Sequence, residues 1–192
     1  MPRQTPEELL ASINASQKVK KRAEEATEMG TQKVEEELDQ IIKNVQSDPN
    51  SSGEAYELAH NFLDSAAIKL WENSHSLEPV IYLYERYYHE NMTKEGTFGT
   101  PWEVMAKIAA ELHGTDRTTV IDSTVAFLTR HEPQIPHRVE MLAFFADSLD
   151  RHGVKSEARQ MATILQASAE NVLNELPLAN SYINRITSAA KQ

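Results

Sequence analysis

Acidic side chains at helical spacing are the groups in this sequence best suited to chemistry. Glu24, Glu25 and Glu28, then Glu36 and Asp39, recur three or four positions apart. Carboxylates at i and i+3 or i+4 share a helix face, and together they could hold a hard cation that in turn binds phosphates. Histidine joins a carboxylate at the same spacing twice, in Glu57-x-x-His60 and Glu72-x-x-His75. His60 also lies in the run Ala59-His-Asn-Phe-Leu-Asp-Ser-Ala66, ahead of small residues. There are no cysteines, so thiolate nucleophiles, disulfides and Cys-based zinc or iron–sulfur sites are excluded. The seven histidines are otherwise scattered, and no serine stands in a nucleophile-elbow context. The expectation is that no metal and no other cofactor is bound.

Three of these patterns resemble known families. The paired carboxylate clusters resemble the magnesium-binding carboxylates of all-α nucleoside-triphosphate pyrophosphohydrolases. That resemblance implies magnesium-dependent nucleotide hydrolysis and requires the clusters on two facing helices. Here they fall on one predicted helix, which if straight holds Glu28 and Asp39 roughly 16 Å apart; a hairpin near Gly30 would bring them closer. The Glu-x-x-His pairs resemble the di-iron ligands of ferritin-like bundles, which come from different helices, whereas here one helix carries both. The His60 run resembles the phosphoacceptor helix of histidine phosphotransfer domains, which implies a response-regulator partner. Where that family has Lys and Gly after the His, this chain has Leu63 and Asp64. The favourable charge for a phosphoryl group is thereby lost and a repulsive one added.

All of these groups depend on helices for their placement. The chain has 192 residues, of which 40% are hydrophobic, 25% charged and only 6 glycine. That composition suits a single all-α domain with an appendage, and strand-type runs are nearly absent. The organising stretch is Pro136–His152. At about 100° per residue, Val139, Met141, Leu142, Phe144, Phe145, Ala146 and Leu149 cover most of its circumference. Glu140, Ala143, Asp147 and Asp150 share the remaining stripe. A helix apolar nearly all round is enclosed by neighbours. The expected fold is therefore all-α, a compact array of about seven antiparallel helices around a central helix at 136–152.

A long N-terminal helix precedes that array. Thr5-Pro-Glu-Glu8 forms a capping box with proline in the first turn, and nothing stops the helix before Ser47-Asp-Pro. Continuous from Pro6 to Gln46, it would extend ~60 Å. Its apolar or small positions, Val19, Ala23, Ala26, Gly30, Val34, Leu38, Ile41 and Val45, give one narrow seam of coiled-coil type. The expected division is a helical arm at 1–47 and a globular domain at 53–192.

Within that domain the pattern predicts helices at Ser52–Asn73, Glu78–Glu90, Pro101–His113 and from Asp116 to Arg130. Met92–Gly99 is the clearest loop, and a second capping box follows at Thr100-Pro-Trp-Glu103. A further helix starts at Ser156, Pro177 breaks it, and Leu178–Ala190 forms a short last one. Val80, Leu83, Tyr84, Tyr87 and Tyr88 should face inward, leaving Tyr82 on the polar side. Nine of the thirteen aromatics lie between residues 56 and 102, which predicts an aromatic subcore there.

The net charge of −10 disfavours nucleic acid or an anionic membrane as a partner, since both reward clustered Lys and Arg. No run reaches the ~20 apolar residues that span a bilayer, and MPRQTPEELL lacks a signal-peptide core. The protein is expected to be cytoplasmic. These features favour a non-enzymatic interaction or assembly protein. It would dock a protein partner, or itself, through Val19, Ala23, Ala26, Val34, Leu38, Ile41 and Val45, with Tyr82 as an exposed contact. The alternatives are histidine phosphotransfer, magnesium-dependent nucleotide hydrolysis, and an acidic inhibitor that mimics nucleic acid.

Overall fold

A computed structural model describes residues 5–47, 53–90 and 99–188. Among these the chain is all-α, with nine helices and no strand. They are α1 (Pro6–Met29), α2 (Thr31–Ser47), α3 (Gly53–Ser74), α4 (Glu78–Glu90), α5 (Pro101–Glu111), α6 (Gly114–His131), α7 (Ile135–Arg151), α8 (Lys155–Leu173) and α9 (Pro177–Ser188). They form two compact units, Met1–Thr100 and Pro101–Gln192. The expected arm at 1–47 lies within the first of these units, where α1 and α2 pack on α3. The predicted loop at 92–98 lies outside the described residues. No described helix is long and apolar enough to cross a membrane.

In the first unit the long N-terminal helix is broken in two. Gly30 sits at φ +110°, a conformation open to glycine and strained for other residues. Its N–H donates to the Thr27 carbonyl at 3.2 Å, and its own carbonyl accepts from the N–H groups of Lys33 and Val34. One residue thus closes α1 and opens α2, which turns back so that Arg22 Nε donates to Glu37 at 2.6 Å. Both helices lie against α3. Ala23, Ala26, Val34, Leu38, Ile42 and Val45 are buried, as are Phe62, Leu63, Ala66 and Leu70 of α3. A narrow apolar stripe about 60 Å long would expose its whole length to water; folded at Gly30, both halves are covered by α3.

On α4 the inward residues are those the pattern predicts, Val80, Leu83, Tyr84, Tyr87 and Tyr88. Polar bonds join its outer edge to α2. Arg86 reaches Glu35 at 2.8 Å and Asp39 at 3.3 Å, while the Tyr87 hydroxyl donates to Asp39 at 2.9 Å. At the end of the unit Asp64 gathers three donors: Tyr84 Oη at 2.6 Å, Thr100 Oγ1 at 2.5 Å and the Thr100 N–H at 2.9 Å. Burial pushes the Asp64 carboxyl upward, and these hydrogen bonds oppose that. Next to it Gly99, at φ +81°, leaves no room for a side chain. A Cβ there would stand 2.9 Å from both Leu63 Cδ2 and Tyr84 Cε1.

In the second unit α7 is the hub, packed against α5, α6, α8 and α9. Val139, Met141, Phe145, Ala146 and Leu149 are buried as expected, whereas Leu142 and Phe144 are only half-buried. Ala143 and Asp147, assigned to the polar stripe, are buried as well. The aromatic subcore is confined to the first unit; Trp102, at the edge of the predicted cluster, instead meets Phe144 of α7 in the second, 6.1 Å between ring centroids.

Two glycines test this topology. Gly30→Ala should lower stability by about 1–2 kcal/mol through its positive φ alone; a continuous helix would instead gain about 1 kcal/mol. Gly99→Ala adds overpacking to the same strain and should cost roughly 2–5 kcal/mol. Urea denaturation of the three proteins measures all of these effects.

Candidate functional site

On the second unit two stripes of side chains run side by side without closing on each other. From α6 the stripe is Thr118, Ile121, Asp122 and Val125; from α8 it is Glu157, Gln160, Met161, Ile164 and Leu165. The spacing in both is i, i+3, i+4 and i+7, which aligns side chains along one face of a helix. Leu142 of α7 forms the floor, and the cavity holds about 360 Å³. At 1.5 Å per residue the walls are about 10–12 Å long, two helical turns.

The groove exists because α6 and α8 face different neighbours. α6 buries Val120, Thr124, Phe127 and Leu128 against its own unit and packs mainly on α5. α8 buries Ala158, Ala162, Leu165 and Leu173 and packs on α7 and α9. The next stripe round each helix is left facing the gap. Ile164 is 57% exposed, one of the few large apolar side chains so placed. Burying such a residue yields about 1.5–3 kcal/mol. At the rim Glu157 meets Arg117 at 3.3 Å, while Asp122 is exposed and has no ion-pair partner among the described residues.

A second cluster in the same unit is rich in polar groups but fully engaged. Glu103 accepts from Ser148 Oγ at 2.7 Å, from Arg151 at 2.7 and 3.2 Å, and meets His152 Nε2 at 2.9 Å. Arg151 continues to Asp147 at 2.9 Å, and Arg185 joins Asp147 and Asp150 at 2.6 and 2.8 Å. Burial would raise the Glu103 carboxyl, but its hydrogen bonds from Arg151, Ser148 and His152 outweigh that and hold it at about 2. Ser148 and His152 do not meet directly; Glu103 stands between them. The cluster ties α5, α7 and α9 together.

The groups singled out in the sequence are not brought together. The hairpin at Gly30 does form, yet no set of three or more acids and histidines that could hold a metal occurs among the described residues. Asp39 turns toward α4, Glu36 lies 3.5 Å from Lys33, and Glu25 lies 3.5 Å from Lys21. Glu57 is exposed and His60 is partly buried, with Nδ1 accepting the Gly99 N–H at 2.6 Å. Burial pushes the His60 imidazole downward. Glu72 and His75 are exposed, His75 standing edge-on to Trp71 at 5.5 Å.

The seam expected to dock a partner is already occupied. Ala23, Ala26, Val34, Leu38 and Val45 are buried within the first unit, with Val19 and Ile41 half-buried at its margins. Their apolar faces meet α3, which leaves no open stripe for a coiled-coil partner. Tyr82 is 46% exposed, but its hydroxyl donates to Glu35 at 2.5 Å. Of the groove residues, Ile121 and Val125 recur four apart on α6, and Met161 and Leu165 four apart on α8, the spacing of a core-facing stripe. Ile164 carried no such signal, since its neighbours Leu165 and Met161 already complete a core stripe. No family model, no curated protein and no solved structure matches the chain.

Adjacent residues on α8 should respond differently to truncation. Ile164→Ser is expected to leave the unfolding free energy unchanged to within about 0.5 kcal/mol, whereas Leu165→Ala should cost about 2–5 kcal/mol. Glu103 gives a pH signature. Its folded pKa of about 2 lies below the ordinary value of 4.5, so its contribution is present above pH 4.5 and lost as pH falls toward 2. Thermal melts between pH 7 and pH 2 should show a shallower acid loss in Glu103→Gln than in the parent.

Proposed function

We propose that this protein is a non-enzymatic interaction or assembly protein of the cytoplasm, and that its partner docks in the groove between α6 and α8. The observation that carries this reading is a pair of partly apolar helical stripes, floored by Leu142 and open to water, with Ile164 57% exposed at the edge. Side chains of this kind cost little to leave exposed singly. Aligned over two turns on both sides of a gap, they offer a continuous surface that another chain can cover.

Chemistry weighs on the same side. Of the acids that could have served a cation, Glu25, Glu36 and Asp39 are drawn into ion pairs, and the imidazole best placed for phosphotransfer accepts a backbone N–H. An acidic mimic of nucleic acid would need its carboxylates free along one face. Glu35, Glu37, Glu103, Asp147 and Asp150 are instead each within ion-pair distance of an arginine.

The test compares the full chain with Ile164→Asp, matched for helicity and melting temperature. Immobilised in turn and exposed to a cell extract, the parent should retain proteins that the variant does not. Equal retention by both would overturn the reading. So would magnesium-dependent release of phosphate or pyrophosphate from nucleoside triphosphates by the purified chain.

A further inference from the structure

We infer that the occupant of the groove is a single amphipathic helix of a partner protein, about two turns of it in contact, bearing Lys or Arg beside its apolar edge. This deepens the proposed docking function and rests on it. Length and period argue for a helix. The two walls repeat at i, i+3, i+4 and i+7 over about 10–12 Å, so they match the knobs of another helix laid along them. An extended strand would need an unpaired sheet edge, and no strand occurs among the described residues. A compact small molecule is poorly served, because such ligands bury most of their surface and this groove is open along one side.

Charge argues for the basic edge. The two ionisable residues that line the groove, Asp122 on α6 and Glu157 on α8, are both acidic, and they stand on opposite walls. Glu157 already meets Arg117, whereas Asp122 is exposed and has no ion-pair partner among the described residues. A helix seated between the walls brings its own flank against Asp122, where a carboxylate there would be repelled and a cation attracted. The whole chain carries −10, which favours encounter with a basic segment and makes that encounter salt-sensitive. A contact of two turns lies at the small end of specific interfaces, so the complex should be transient, with micromolar affinity.

Selection from a displayed library of helical peptides on the full chain tests this directly, each round counter-selected on the Ile164→Asp variant. The expected result is enrichment of peptides with apolar residues at i, i+3 or i+4, and i+7, flanked by Lys or Arg. Chemically synthesised winners should bind at least about tenfold more weakly to Ile164→Asp. They should bind about two- to fivefold more weakly to Asp122→Lys, with the difference shrinking in high salt. Groove binders lacking a helical period, or flanked by acids, would overturn the inference while leaving the docking function standing. No binder sensitive to Ile164→Asp would overturn both. Sedimentation of the parent chain guards against a second copy: concentration-dependent dimers lost in Ile164→Asp would assign the groove to self-association and overturn the inference. A small apolar molecule retained in native mass spectra of the parent and absent from that variant would do the same.

Discussion

Covering one narrow apolar stripe governs the first unit. Between Ala23 and Val45 the chain carries enough apolar side chains for a single edge and too few for a broad face, so neither half could bury itself alone. Gly30 resolves this by turning the backbone through φ +110°, which lays both halves against α3. Once α2 returns along α3, Glu35 and Asp39 come within reach of Arg86 and Tyr87 on α4. The polar contacts follow from the hairpin and hold the fourth helix in register. They add little individually at a surface, but they engage the carboxylates that would otherwise look like an acidic site.

The second unit satisfies a different constraint. α7 has more apolar circumference than one neighbour can cover, so α5, α6, α8 and α9 all contact it. Two of its polar residues are drawn inside by that crowding. Asp147 is buried with Arg151 and Arg185 as its ion-pair partners, and Ser148 is buried while donating to Glu103. Buried charges persist only when paired, which explains why this network is dense. Four helices around one axis leave gaps between some neighbours, and one of these lies between α6 and α8.

Capping residues illustrate how tertiary contacts reassign local signals. Thr100-Pro-Trp-Glu103 is a capping box by sequence, and α5 does begin at Pro101. Yet the Thr100 hydroxyl donates to Asp64 and the Glu103 carboxylate accepts from Ser148 and Arg151. Charge-assisted bonds to a partly buried partner are stronger than exposed capping bonds, so these side chains serve the interior of their own units. The helix still starts where the pattern predicted, because the preceding backbone and the fixed φ of proline suffice.

What the sequence alone determined was the all-α class, the placement of most helices, and the inward face of α4 from Val80 to Tyr88. These depend on the helical period and on Pro and Gly punctuation, which are local properties of the chain. It also exposed the weak point at Gly30, although periodicity cannot distinguish a tolerated glycine from a reversal: the same seam fits a straight helix and a hairpin. Only the tertiary structure decided that reversal, the burial of Ala23 through Val45, the boundary at residue 100 and the gap beside Ile164. Each depends on which helix lies next to which, and Ile121, Val125 and Met161 carry the same apolar letters whether a neighbour covers them or not.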